Sequence, residues 1–341
     1  LCPQCPRSQY GAKKWSNLPI VDLDTAIIEK ILQDPGFKSV DFVRLAGTYG
    51  DPTLHLDLLN IVQLLKQRKI KLFISTNGGV QNVQWWQKLA QMLDHQDRVL
   101  FCIDGLEDTN HLYRIGVDYH KVMQNLNAFN ASGGKSIWQF IVFKHNQHQI
   151  QAAKQTSVEI GCHGFAAKPS NRFVNKSHQL MLRYPVLNRK KQVIYFLEPP
   201  DIDDRYVAKN INSYQENTVQ HRNYQQYLKS VPIKCEAQSK NFFAITAEGY
   251  VFPCHFLYDR LYGPEVDGDK SQTQLIDMLE STGGLDAISL YKKDLSAIFD
   301  SDFFSAVSKS WQDSTRLDRC ANQCGVYSNS LTNYDEIDRL L

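Results

Sequence analysis

An α/β fold, a partial (βα)6 TIM-like barrel with a small C-terminal α+β domain, is predicted by three features of this chain. Short apolar runs of strand character alternate with helical-period segments throughout the first half of the 341 residues. The second half changes to short strands and helices without that alternation. Six of the eight cysteines gather toward the two ends, at Cys2 and Cys5 and then at Cys235, Cys254, Cys320 and Cys324.

The elements follow in order. Residues 22–32 read as a helix, and 39–46 as a buried strand. A helix over 55–69 places Leu58, Ile61, Val62 and Leu65 on one face. Residues 71–76 form the next strand and 83–93 its helix, with Val83, Trp86, Ala90 and Leu93 spaced toward a core. A third strand spans 99–104, followed by a helix carrying Val122, Leu126 and Phe129. A fourth covers 137–143, its helix 147–160, and a shorter fifth lies at 165–168. Strands parted by helices in this way indicate βαβ units and a parallel sheet. The helix at 22–32 asks for one more strand before it, expected upstream of Leu1. Residues 174–232 are rich in Asn, Gln, Tyr and basic residues, and only 193–197 has strand character there. From about 233 a hairpin is expected (242–246, a turn at Glu248-Gly249, then 250–252), with helices between 272 and 311.

Composition narrows the class. Hydrophobic content of 43% and charge of 22% are ordinary for a soluble globular protein, and a net charge of +2 argues for neither nucleic acid nor membrane. No apolar run approaches the ~18 residues of a membrane span, and the visible N-terminus has no signal-peptide pattern. A cytoplasmic protein is expected. Disulfide frameworks belong to short secreted chains, so clustered cysteines at this length point to a metal. Cys102 and Cys162, set in apolar surroundings, read as buried thiols. Gly134-Lys135-Ser136 is not a phosphate loop, because the required earlier glycine position holds Phe129 and the tripeptide precedes a strand. His145 and His148, at a helix start, read as surface residues.

Cys2-Pro3-Gln4-Cys5 is a C-x-x-C pair compatible with zinc, a redox dithiol or an iron–sulfur cluster. It lies just before the first helix, where a strand should have ended, and in parallel α/β folds active sites collect at such carboxyl ends. Later strands end comparably. After 39–46 comes Gly47-Thr48-Tyr49-Gly50-Asp51-Pro52, after 71–76 comes Asn77-Gly78-Gly79, and the third strand closes on Cys102-Ile103-Asp104-Gly105. The fifth ends Lys168-Pro169-Ser170-Asn171-Arg172, a cationic stretch near a site where a carboxylate could sit.

Together these residues resemble the radical S-adenosylmethionine (SAM) superfamily. Its members carry C-x-x-x-C-x-x-C after their first strand. Cys2 and Cys5 correspond to the last two cysteines, and the first is expected ahead of Leu1. Gln4 stands where an aromatic residue is common. Gly50, Asp51 and Pro52 are similar to the end of the family's G-G-E-P motif, with Asp51 one methylene shorter. Asp104 matches its S-x-D-G motif, with Cys102 in place of Ser. The resemblance implies a 4Fe–4S cluster with one open iron for SAM, and Gly50, Asp51, Pro52, Ser75, Thr76, Asn77 and Asp104 around SAM.

Cys235, Gly249 and Cys254 fit the C-x9–15-G-x4-C opening of the SPASM and twitch domains, and Cys320-x-x-x-Cys324 adds two thiolates. By that resemblance the four cysteines hold a second, auxiliary 4Fe–4S cluster, while structural zinc remains the other metal for a set of four thiolates. The expected layout is a radical SAM core over 1–175, a connecting segment over 176–232 and a twitch domain over 233–341. The implied activity is hydrogen abstraction by a 5′-deoxyadenosyl radical from a small-molecule or peptide substrate, peptide modification being commonest, with ferredoxin or flavodoxin as electron donor. A non-enzymatic zinc-binding scaffold is the alternative.

Overall fold

The computed structural model describes residues 1–173, 181–201, 206, 224–262, 270–313 and 315–326. Of the expected connecting segment, residues 176–180, 202–205 and 207–223 therefore lie outside the described residues. Five strands, β1 (Phe42–Ala46), β2 (Lys71–Thr76), β3 (Arg98–Cys102), β4 (Ser136–Val142) and β5 (Gly164–Pro169), form one sheet in the order β1-β2-β3-β4-β5. Every neighbouring pair is parallel. The loops at the carboxyl ends of all five strands therefore meet on one rim.

Helices α1 (Thr25–Gln33), α2 (Leu58–Gln67), α3 (Val83–Met92), α4 (Asn110–Tyr113), α5 (Tyr119–Ala131) and α6 (Ile150–Glu159) connect the strands. Side-chain caps set several starts. Asp24 accepts from Ala26 N at 2.9 Å, Asn82 from Trp85 N at 2.9 Å and Asp118 from Lys121 N at 3.2 Å. The helix expected from residue 55 begins at Leu58, because Pro52–Leu54 forms a separate 3-10 turn under an Asp51 cap.

Strand alternation divides the side chains between two faces. Leu72, Ile74, Val99, Phe101, Trp138, Phe140 and Val142 join the main core beneath the helices. There Trp86, fully buried, meets Phe101 at 5.0 Å and Phe129 at 6.1 Å between ring centroids. Gly134 seals this cluster, since a Cβ there would come within 2.4 Å of the Phe129 ring. Phe73, Leu100, Ile137 and Ala166 form a second, smaller cluster on the opposite face with Cys102 against it.

The expected strand at 193–197 is β7 (Val193–Leu197), paired antiparallel with β6 (Tyr184–Leu187). The hairpin near 250 is β8 (Ala244–Ile245) with β9 (Val251–Phe252). The later helices include α7 (Tyr224–Ser230), α8 (Glu236–Ser239), α9 (His255–Tyr258), α10 (Ser271–Ser281), α11 (Leu295–Phe299), α12 (Asp302–Ser310) and α13 (Asp318–Cys324). This part shares the main core through Phe252, Ile298 and Phe303. It is also tied to the sheet by polar contacts: Thr48 Oγ1 and Tyr258 Oη lie 2.7 Å apart, and Ser296 N donates to Asp34 at 3.2 Å. Among the described residues no helix is long and apolar enough to cross a membrane.

At the rim opposite the strand ends, Asp97 holds α2 to β2. It is buried, accepts from Leu72 N at 2.7 Å and Asp94 N at 2.8 Å, and pairs with Lys66 Nζ at 2.8 Å. Asp97→Ala strands those donors and is expected to cost about 3 kcal/mol in urea unfolding. An unchanged midpoint would remove Asp97 from this role.

Candidate functional site

The loops after β1 and β2 are joined by a single carboxylate. Asp51 Oδ1 accepts from Thr53 N at 3.0 Å and Thr53 Oγ1 at 2.7 Å. Its Oδ2 accepts from Thr76 Oγ1 at 3.0 Å, Asn77 N at 2.8 Å and Asn77 Nδ2 at 2.6 Å. Thr76 and Asn77 also receive Gly78 N and Gly79 N, at 3.0 and 2.9 Å. The side chains of Asp51, Thr76 and Asn77 are thus engaged in building the rim. Gly47 is required there, since a Cβ would lie 2.4 Å from Gly50 O, whereas Gly50 is exposed and borders open space. Pro52 opens the 3-10 turn. Ser75 Oγ, on the face of Phe73, is buried and has no hydrogen-bond partner among the described residues.

Cys2 and Cys5 share this rim. Cys5 N donates to Cys2 O at 3.0 Å, closing a tight turn. Gln4, buried inside it, fastens the turn beyond β5: Ser170 Oγ donates to Gln4 Oε1 at 2.6 Å, and Arg172 Nη1 donates to Gln4 O at 2.8 Å. Burial pushes the Cys5 thiol up, and Cys2 adds to that, while Arg172 and Arg114 pull the other way. Arg114 Nη1 also donates to Cys2 Sγ at 3.4 Å. Guanidinium groups at this position favour thiolates, the form in which cysteine binds a metal.

Asp104 acts on this pair from below. It is wholly buried, with Oδ2 2.6 Å from Arg114 Nε and Oδ1 accepting from Ile141 N at 2.6 Å. Desolvation alone would lower the Arg114 pKa, but Asp104, Cys2 and Cys102 raise it well above its usual value. Arg114 was not among the expected residues. No local pattern marks it; only the fold brings it between Asp104 and Cys2.

Cys235, Cys254, Cys320 and Cys324 line one small cavity of about 20 Å³ with Trp311 and Arg319. The Cys324 hydrogen bond draws the Cys235 thiol down to about 6, whereas burial pushes Cys254 to about 11 and Cys320 to about 12. Cys235 and Cys254 are the N-cap residues of α8 and α9, without a side-chain cap hydrogen bond, and the nearby backbone amides favour their thiolates. Four thiols on one cavity are a donor set suited to zinc or an iron–sulfur cluster. As they stand they are not drawn into a ligand shell, for no group of three or more His, Cys, Asp or Glu among the described residues is arranged to hold an ion.

Other expectations about single residues resolve here. Cys102 faces the sheet's inner side and accepts from Gln139 Nε2 at 3.5 Å. Cys162 accepts from Asn130 Nδ2 at 3.6 Å. His145, expected at the surface, stacks on Phe143 at 5.3 Å with an interplanar angle of 10°, while His148 is exposed.

The Radical SAM superfamily profile matches residues 1–153. A candidate glycyl-radical enzyme activating enzyme of Methanocaldococcus jannaschii is 30% identical over 124 residues, which make up 36% of this chain and 42% of that protein. The match thus spans less than half of that relative. The crystal structure of Streptococcus suis SuiB bound to S-adenosylmethionine aligns with a TM-score of 0.51 at 16% identity, covering 95% of this chain and 69% of that one. Native anSMEcpe with bound AdoMet aligns with a TM-score of 0.49 at 14% identity, over 95% of this chain and 85% of that one.

Burial holds the His145 imidazole down at about 4, from a usual 6.5. The unfolded chain therefore takes up the proton first, and this contribution to stability is complete above about pH 6.5 and is lost toward pH 4. His145→Phe is expected to keep the stack and to flatten the loss between about pH 7 and pH 5 by about 2 kcal/mol. Paired urea unfolding at the two pH values checks this, and parallel profiles for the two proteins would refute it.

Proposed function

We propose that this chain, whose residues 1–153 match the Radical SAM superfamily profile, is an enzyme that starts its reaction by reductive cleavage of SAM. The observation that carries the reading is the placement of the Cys2–Cys5 turn and of the Asp51 clamp at the same carboxyl-end rim of a parallel sheet, with Arg114 donating to Cys2. SuiB, which has the same fold, binds SAM.

A 4Fe–4S cluster held at this rim and reduced by an external donor would supply the electron for cleavage of SAM to methionine and a 5′-deoxyadenosyl radical able to abstract hydrogen from a substrate. Cys2 and Cys5 are two of the thiolates that hold the cluster. Arg114, oriented by Asp104, fixes the position of Cys2 and balances its charge. That gives Asp104 a positioning role in place of direct contact with SAM. Asp51, through Thr76 and Asn77, sets the shape of the loops around SAM, and the exposed backbone at Gly50 and Pro52 and the Ser75 hydroxyl remain to meet it. Cys235, Cys254, Cys320 and Cys324 are the ligands of a second cluster, in a twitch-like domain. Helix amides at Cys235 and Cys254 lower the cost of gathering negative sulfur there. A peptide is the substrate class we favour, with a small reducing protein such as ferredoxin or flavodoxin as donor.

Full-length protein purified without oxygen is expected to hold about eight irons with matching sulfide. With dithionite and SAM it should release 5′-deoxyadenosine, and Cys2→Ser or Cys5→Ser should abolish that release. Zinc at one or two per chain, with no 5′-deoxyadenosine formed, would instead identify a zinc-stapled scaffold.

A further inference from the structure

Two segments without an acidic residue meet beside the first cysteine pair. Residues 1–21 and 181–197 carry Arg7, Lys13, Lys14, Arg183, Arg189, Lys190 and Lys191 but neither Asp nor Glu, in a chain whose net charge is only +2. Between them lies a cleft of about 370 Å³ lined by Leu1, Arg7, Ala12, Lys13, Lys14 and Arg189.

The cleft is built onto the cysteine turn. Ser8, which is buried, donates to Cys2 O at 3.0 Å and accepts from Gly11 N at 2.8 Å. Ser8 also bridges antiparallel to Lys14, and Gln9 N donates to Lys13 O at 2.8 Å. The chain from Arg7 to Trp15 is thus folded back on itself, with Gly11 at a φ of +90° in its bend. Leu187 N donates to Tyr10 O at 2.9 Å, which brings the end of β6 against this bend. From there Asn188 sets the turn into β7, its Oδ1 accepting from Lys190 N at 2.9 Å and Gln192 N at 3.0 Å. Arg189 lies in that turn and completes the cleft.

Arg183 pairs with Glu198 at 3.2 Å. Arg7, Lys13, Lys14 and Arg189 pair with no acid among the described residues, and Arg7 Nε is buried without a hydrogen-bond partner there. Like charges held together raise the potential over the cleft and draw an oppositely charged partner from solution. All four are half-buried or exposed, which suits a transient complex steered by charge. Arg7 stands two positions after Cys5, at most about 7 Å along the chain. A partner seated here therefore lies beside the cysteine turn.

We propose that this cleft docks the acidic face of a small electron-transfer protein. One electron leaves the reduced partner and enters the cluster site at Cys2 and Cys5. Calling that partner the electron donor rests on the radical SAM reading; the basic docking face does not.

Two measurements on full-length holoprotein test it, with flavodoxin hydroquinone as the probe. Stopped-flow absorbance follows its one-electron oxidation to the semiquinone by wild type and by two double variants. One is Lys13→Glu with Arg189→Glu; the other is Lys88→Glu with Lys154→Glu, at exposed lysines on α3 and α6. The cleft variant is expected to react about tenfold more slowly at low salt, a gap that closes near about 0.5 M chloride, while the other matches wild type. Carbodiimide cross-linking, mapped by peptide mass spectrometry, is expected to join flavodoxin carboxylates to Lys13 or Lys14. Equal slowing of both variants, unchanged rates, or cross-links that avoid Lys13 and Lys14 would overturn the proposal. Loss of the cross-link in micromolar pyrophosphate at constant ionic strength would assign the cleft to a small phosphate ligand and overturn it too. 5′-Deoxyadenosine release driven by dithionite in the same protein separates the two readings. Cross-linking at Lys13 or Lys14 without release upholds the docking face and sinks the radical chemistry, and release without that cross-linking sinks the docking face alone.

Discussion

Asp104 is cut off from water, and its charge is tolerable only because the chain supplies Arg114 and an amide at hydrogen-bond distance. Much of the rim depends on that ion pair. It draws the segment after β3 inward, brings Arg114 to Cys2, and thereby ties the N-terminal cysteine turn to the middle of the sheet. Asn146 closes the same arrangement from β4, donating to Asp104 O at 2.8 Å. The first cysteine pair is therefore placed by side chains far away in sequence, and those same side chains supply the positive charge that sulfur ligands need.

The second cysteine group meets the same electrostatic problem differently. The N-termini of short helices face Cys235 and Cys254, so backbone dipoles replace guanidinium groups. Arg319 lies nearby but is paired with Asp259 and hydrogen-bonded to Phe256 O. Burial raises Cys254 and Cys320, so these thiols resist ionisation until a cation compensates them. A metal-binding group built this way couples metal affinity to the packing of α8, α9 and α13. The two groups lie at opposite ends of the chain and pack on different clusters, Cys254 and Cys320 against the main core and Cys2 against a smaller one around Tyr113 and Phe143.

Alternation along β1 to β5 is strict enough that one set of residues seals the main core and the other builds the smaller apolar cluster of the opposite face. The same periodicity that stabilises the domain thus distributes its chemistry, and a one-residue slip of any strand would exchange the two sets.

The parallel sheet, its strand order, most helices and the grouping of cysteines were legible from the amino-acid order, because burial periodicity and side-chain caps act within a few residues. β6 was not legible: its four residues include Pro185, and it becomes a strand only by pairing with β7. α4, four residues long, has too little local pattern to read. Residue types at the strand ends were readable, but not their directions. Thr76 and Asn77 turn toward Asp51, and Asp104 turns toward Arg114, because each buried polar atom takes the strongest donor that the fold brings within reach. Local order could name these groups; only the folded chain decides which of them meet each other and which are left to meet a ligand.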